Sequence, residues 1–187
     1  MSDLGLLLAP GAGAGRDQPA LVAIDLAASA AGVLVERMDF PYRKAGRRAP
    51  DRPAVLLRAV LDEAESLAGR VGRVLLGGRS MGGRICSMVV AEGFDAAGLV
   101  LVSYPLHPPG RPESQRTGHF SRISVPCLFV SGTRDAFAAP WELESAAGAI
   151  PGAVTHRWIE GKDHALRGSD AAVAASVVEW VRSLPGV

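Results

Sequence analysis

Three stretches of this chain, LGLLLA (4–9), RVLLGG (73–78) and AGLVLV (97–102), are apolar at almost every position. A strand with one wet face alternates apolar and polar side chains. A strand without that alternation is covered on both faces. The segments between them have apolar positions at helical spacing: 17–31, 54–69 and 81–93. Further strand-length runs at 33–40, 126–132 and 153–160 and helical patterns at 138–149 and 169–184 continue the alternation. Asp17 can cap the first helix, Gly32 stops it, and Ser169 or Asp170 can cap the last. Six strands alternating with helices at this spacing require right-handed crossovers and a parallel sheet. The expected architecture is α/β, in three α/β/α layers with about six parallel strands. The 187 residues show no repeat, linker or composition break, so 1–187 reads as one domain. Flavodoxin-like and dinucleotide-binding folds share this class. The glycines of PGAGAG (10–15) lack the G-x-G-x-x-G spacing, which argues against the second.

Charge excludes several functions. With 20 basic and 19 acidic side chains, the chain has no overall pull toward nucleic acid or an anionic membrane. Cys86 and Cys127 make neither a C-x-x-C pair nor a metal-ligand spacing with the histidines, and read as buried thiols. No metal or cofactor is expected. The N-terminus has no basic region and no adequate signal core, and no 18-residue apolar span follows, so the expected location is cytoplasmic.

The chemistry concentrates in LLGGRSMGGR (75–84), where four glycines surround Ser80 between a buried strand and a helix. Gly78-Arg79-Ser80-Met81-Gly82 is a G-x-S-x-G pattern. In a nucleophile elbow the serine occupies a strained position with φ > 0, so that its hydroxyl stands clear of the strand ends. The flanking backbones then approach too closely for side chains two positions away, and glycine removes the collision. A serine hydroxyl also needs a base, and the base needs an orienting acid. Asp135 lies just beyond the strand at 126–132, and His164 in the loop after the last strand. Those loops share the C-terminal edge of a parallel sheet with the elbow, where open sheets bind ligands. Ser80, Asp135 and His164 are therefore the candidate catalytic residues. The plain alternatives are a turn-forming Asp135 and a solvated loop His164. Asp163 adjoins His164 and is poorly placed to orient it, and His156 lies inside a strand. The expected oxyanion donors are the amides of Met81, after the nucleophile, and Ala12, in PGAGAG.

These residues resemble the α/β-hydrolase fold from residue 4 to the end, through PGAGAG, GGRSMGG, SGTRD and GKDH in that order. The stretch SYPLHPPGRPE followed by GHF resembles a narrower group, the small dienelactone-hydrolase-like domains similar to testis-expressed protein 30 and to a regulatory subunit of the NSL acetyltransferase complex. The resemblance implies a serine hydrolase using Ser80, Asp135 and His164. Pro10 departs from the histidine that many relatives carry before the oxyanion glycine. The resemblance also implies that the two antiparallel strands opening larger members are missing. An edge strand at 33–40 would then need cover, for which a second copy of the chain is the candidate.

The segment 103–124 is short and proline-rich, so no full cap domain is expected and the site should be open. The expected substrate is a small or surface-presented ester or thioester. Arg79, Tyr42, Tyr104 and His107 are the candidate substrate contacts; Phe40, Tyr42, Tyr104 and Trp141 either line an acyl pocket or simply pack. The basic loop 42–52 allows a carboxylated or phosphorylated substrate. The competing reading is a binding or assembly domain that keeps the fold without the chemistry.

Overall fold

A computed structural model describes residues 3–186. Its strands are β1 (Leu4–Ala9), β2 (Leu34–Arg37), β3 (Arg73–Arg79), β4 (Gly98–Val102), β5 (Cys127–Gly132) and β6 (Val154–Ile159). They form one sheet in the order β2-β1-β3-β4-β5-β6, with every neighbouring pair parallel. The helices are α1 (Pro19–Ala30), α2 (Pro41–Lys44), α3 (Pro53–Ala68), α4 (Met81–Ala91), α5 (Pro140–Ala147) and α6 (Asp170–Arg182).

The apolar runs divide by pleat into two cores. Leu6, Leu8, Leu75, Val100, Val102, Leu128 and Val130 face α1 and α6, meeting Leu21, Ile24, Val173, Val177 and Trp180. Leu7, Leu76, Leu99, Leu101 and Phe129 face the opposite way, onto α3, α4 and α5 through Val60, Leu67, Ile85, Val89 and Leu143. Successive residues of one strand enter different cores, which is why these strands show no apolar–polar alternation.

The local signals differ from the sequence reading in two places. Asp17 does not cap α1; its carboxylate pairs with Arg37 at 2.8 Å, and the capping position is Gln18. Gly32, at φ +90°, does end α1, with the Gly32 and Val33 amides donating to the Ser29 and Ala28 carbonyls. The strand expected over 33–40 stops at Arg37, because Phe40 and Pro41 open the one-turn helix α2. Segment 103–124 contains a single 3-10 turn, Phe120–Arg122, and no cap domain. Its Tyr104, Leu106 and Phe120 are fully buried, so much of it is core rather than lid. β2 and β6 are the sheet edges.

The chain leaves β1 toward β2 and then returns past β1 to β3, so the winding direction reverses between β1 and β3. At such a point the loops leaving two adjacent strands diverge to opposite faces and open a crevice at their C-terminal ends. The loop after β1 is PGAGAG and the turn after β3 carries Ser80. Among the described residues no helix is long and apolar enough to cross a membrane.

Candidate active site

Ser80 occupies φ 51°, ψ −116°, outside the regions that side-chain-bearing residues favour. Its amide donates to the Val102 carbonyl at 2.8 Å and its carbonyl accepts from the Arg84 amide at 3.1 Å. Strand and helix thus hold the strained residue from both sides. The four glycines each answer a specific contact. A Cβ on Gly78 or on Gly82 would land on the Ala9 carbonyl oxygen. One on Gly83 would come within 2.8 Å of the Gly78 carbonyl oxygen, and one on Gly77 within 2.8 Å of Val100.

Two other loops reach the elbow. Asp135 follows β5, and its carboxylate is fixed by the Phe137 amide at 2.8 Å. His164 follows β6. Its Nδ1 lies 2.8 and 3.0 Å from the two Asp135 oxygens, and its Nε2 lies 2.9 Å from Ser80 Oγ. A carboxylate only accepts, so Nδ1 carries the proton and Nε2 presents its lone pair to the serine hydroxyl. The Asp135 side chain has 0% exposure and that of His164 20%. Asp163 points elsewhere and accepts from the Ala165 amide at 2.9 Å. Gly132 lets the two loops close together, since a Cβ there would strike the Lys162 carbonyl.

The loop after β1 is held by Gln18, to which the sequence reading gave no role, and by Tyr42, which it made a substrate contact. Gln18 Oε1 accepts from the Gly11 amide at 3.0 Å, and Tyr42 Oη accepts from the Gly13 amide at 3.1 Å. Pro10 offers no N–H, and these two bonds tie the loop that follows it. The Ala12 amide between them, and the Met81 amide at the start of α4, have no acceptor among the described residues.

The cleft over Ser80 has a volume of about 480 Å³. Ala12, Met81 and His164 line it, as does Arg79, whose guanidinium donates to the His164 carbonyl at 2.7 Å. Burial lowers the Arg79 pKa, against the opposing pull of Asp135. Tyr42, Tyr104 and His107 do not line the cleft. Tyr42 and Tyr104 are fully buried. Tyr104 Oη donates to the Arg116 carbonyl at 2.9 Å. His107 bridges the Pro108 carbonyl and Glu142, whose carboxylate also accepts from the Ala139 amide at the start of α5. Trp141 is exposed and outside the cleft, Phe40 is core, and loop 42–52 contributes nothing to the lining. Sequence reasoning missed Phe137, whose ring packs on His164 with centroids 4.1 Å apart, and also Arg84 and Arg116. Arg84 was findable, one helical turn after Ser80; Arg116 lies in irregular chain that carries no periodic signal. A second cleft, of about 430 Å³ beside β2, contains ion-paired Asp25, Arg37 and Glu63 and no candidate nucleophile.

The fold and this crevice define the class, an α/β hydrolase. The chain belongs to the alpha/beta hydrolase domain family, which it matches over residues 2–179. Among solved structures it is similar to a Xanthomonas campestris pv. campestris protein assigned to the alpha/beta hydrolase superfamily, at 22% identity and TM-score 0.74, covering 96% of this chain and 99% of that one. It is also similar to Est1E from Butyrivibrio proteoclasticus, at 15% identity and TM-score 0.79, over 96% of this chain and 87% of the other. A Paleococcus ferrophilus monoacylglycerol lipase matches at 16% identity and TM-score 0.77, over 96% and 94%. At these identities the likeness is one of fold.

Gly82→Ala is expected to lower stability by about 3 kcal/mol in urea unfolding, because the added methyl meets backbone rather than a yielding side chain. Gly118→Ala, at a site with open space, should change it by less than about 0.5 kcal/mol. A second expectation concerns His119, which is buried with Nε2 2.8 Å from Ser87 Oγ. Burial, then the charges of Arg84 and Arg122, push its pKa down from 6.5 to about 4. The unfolded chain therefore binds the proton more readily. The stability due to neutral His119 is complete above pH 6.5 and is lost as pH falls toward 4. The loss approaches about 3 kcal/mol, and His119→Gln should flatten that slope in unfolding curves recorded across the range.

Proposed function

We propose that this α/β hydrolase is a serine hydrolase cleaving a carboxylic ester or thioester through an acyl-enzyme on Ser80. The single observation that carries the reading is the continuous relay Asp135–His164–Ser80, at 2.8 and 2.9 Å, opening on a cleft.

In this reading Ser80 Oγ attacks the acyl carbonyl as its proton passes to His164 Nε2. Asp135 holds the ring with Nδ1–H toward itself and balances the charge of the imidazolium. The carbonyl oxygen, now negative, takes hydrogen bonds from the Ala12 and Met81 amides, both of which lack a protein acceptor. Collapse of the tetrahedral intermediate breaks the bond to the alcohol or thiol, which leaves with the proton from Nε2. Water then attacks the acyl group as its proton passes to Nε2, and collapse of the second tetrahedral intermediate returns that proton to Ser80 Oγ, releasing the acid and free Ser80. Arg79 acts on the ring's loop, through its bond to the His164 carbonyl. The monoacylglycerol lipase among the fold neighbours is consistent with this chemistry. The narrower kinship with dienelactone-hydrolase-like domains rests on SYPLHPPGRPE and GHF, whose Tyr104, His107 and His119 occupy buried, supporting positions.

A fluorophosphonate probe is expected to label the wild-type chain and to leave Ser80→Ala unlabelled. Asp135→Asn should lower kcat on a short 4-nitrophenyl ester about 10⁴-fold while the fold persists. Absence of Ser80-dependent labelling would favour the alternative of a non-catalytic hydrolase-like binding domain. Near-normal turnover in Asp135→Asn would remove that residue from the relay.

A further inference from the structure

Most half-buried arginines of this chain have an acceptor. Arg37 is paired with Asp17 and Asp25, Arg157 with Glu179, and Arg43, Arg73 and Arg79 donate to backbone carbonyls. Arg84 and Arg116 are also half-buried, and their side chains donate to nothing among the described residues. Both line the cleft that holds Ser80. Arg84 Nε is shielded from solvent and without a partner. Leaving a shielded charged donor unsatisfied is costly, and such a group in a fold is a reason to ask what completes it.

The two guanidiniums also act on one another. The pKa of Arg116 is lowered by burial first and then by the like charge of Arg84. No carboxylate lies within ion-pairing distance of either among the described residues. The carboxylates near the relay are committed, Asp135 to His164 and Phe137, and Asp163 to Ala165. Buried His119 stays neutral, its pKa pushed down by burial and by Arg84 and Arg122, and so adds no third charge.

This placement is built into the backbone. Arg84 sits one turn after Ser80 on α4, and a helical side chain leans back toward the helix N-terminus, here toward the nucleophile. Ser87 Oγ donates to its carbonyl at 2.8 Å. Arg116 belongs to irregular chain, yet its amide donates to the Leu106 carbonyl at 2.7 Å and its carbonyl accepts from fully buried Tyr104. Two forked donors, held on fixed backbone beside a nucleophile, match a carboxylate or a phosphate in charge and in geometry.

We infer that Arg84 and Arg116 form an oxyanion-recognising subsite that selects ester or thioester substrates bearing a carboxylate or phosphate close to the scissile carbonyl. The inference rests on the serine hydrolase reading for the reaction, whereas the anion subsite is readable without turnover.

Binding is tested first, on the Ser80→Ala protein, by calorimetric titration with monoethyl glutarate, its neutral counterpart diethyl glutarate, and a monoalkyl phosphate. The anions should bind and the diester should not. Affinity for the anions should fall at least tenfold in Arg84→Gln and in Arg116→Gln, and the tighter of the two anions tells a carboxylate-bearing substrate from a phosphate-bearing one. Turnover is tested second, with mono-4-nitrophenyl glutarate against 4-nitrophenyl valerate. The ratio of kcat/KM, anionic over neutral, should exceed ten in the wild type and drop at least tenfold in either glutamine variant. Arg84→Lys and Arg116→Lys keep the charge without the fork and should fall between; they replace any glutamine variant whose unfolding midpoint shows loss of the fold. Ser80-dependent cleavage with no anionic preference, or a ratio unmoved by all four variants, overturns the subsite and leaves the hydrolase reading standing. Anion binding that needs both arginines, with no ester cleaved and no Ser80 labelling, keeps the subsite and sinks the hydrolase reading.

Discussion

The Ala9 carbonyl oxygen occupies the space that side chains on Gly78 and Gly82 would need. That contact joins the end of β1 to both sides of the Ser80 turn, and the rest of the site depends on it. It draws the first turn of α4 against the loop after β1, so the Met81 and Ala12 amides face one crevice. It also keeps Ser80 at φ 51°, a conformation that costs on the order of 1–3 kcal/mol and persists only where the surroundings over-determine it. The same device recurs at the far side of the site. Gly132 allows the loop after β6 to lie against the end of β5, which brings the His164 ring onto the Asp135 carboxylate.

Around these backbone contacts, large buried residues serve as fixings rather than as lining. Tyr42 reaches from α2 to the Gly13 amide, Tyr104 from beyond β4 to the Arg116 carbonyl, and His107 ties its segment to α5 through Glu142. Each carries a polar atom at the end of an apolar ring, which suits a residue that packs in the core and still holds a loop. Loops are otherwise the least rigid part of an α/β sheet, and a relay needs its atoms within a few tenths of an ångström.

The sheet was legible because its signal is local. Unbroken apolar runs such as LGLLLA and GLVLV exist only where both faces are covered, and the structure puts their alternate residues into two cores. The elbow was legible because GGRSMGG makes sense only if backbone is very close, and the contacts at Gly78, Gly82 and Gly83 are of that kind. The roles of Tyr42, Tyr104 and His107 were not legible. An aromatic near a strand end looks the same in sequence whether it faces a cleft or the core, and only the path of the loop decides. Asp17 failed as a cap for a comparable reason: Arg37 lies twenty residues away in sequence and 2.8 Å away in space. Arg116 sits where no periodicity exists to place it. The switch between β1 and β3 depends on strand order, which local patterns do not encode.

Charge is the remaining constraint. In the proposed acyl transfer the His164 ring would become positive while the oxyanion forms, and Arg79, Arg84 and Arg116 line the same cleft. These guanidiniums favour the oxyanion and disfavour the imidazolium. Asp135, with no exposed side-chain surface, is the carboxylate in direct contact with the ring, so the shared hydrogen bond its two oxygens accept from Nδ1–H must hold against all three. A cleft without a cap cannot exclude water by closing over its substrate. Electrostatic attraction, by contrast, reaches about 8 Å at physiological ionic strength, beyond the range of apolar contact. A shallow site of this kind can therefore discriminate by charge where it cannot discriminate by enclosure. An anion seated on Arg84 and Arg116 would also relieve the repulsion between them and lessen their opposition to the charged ring.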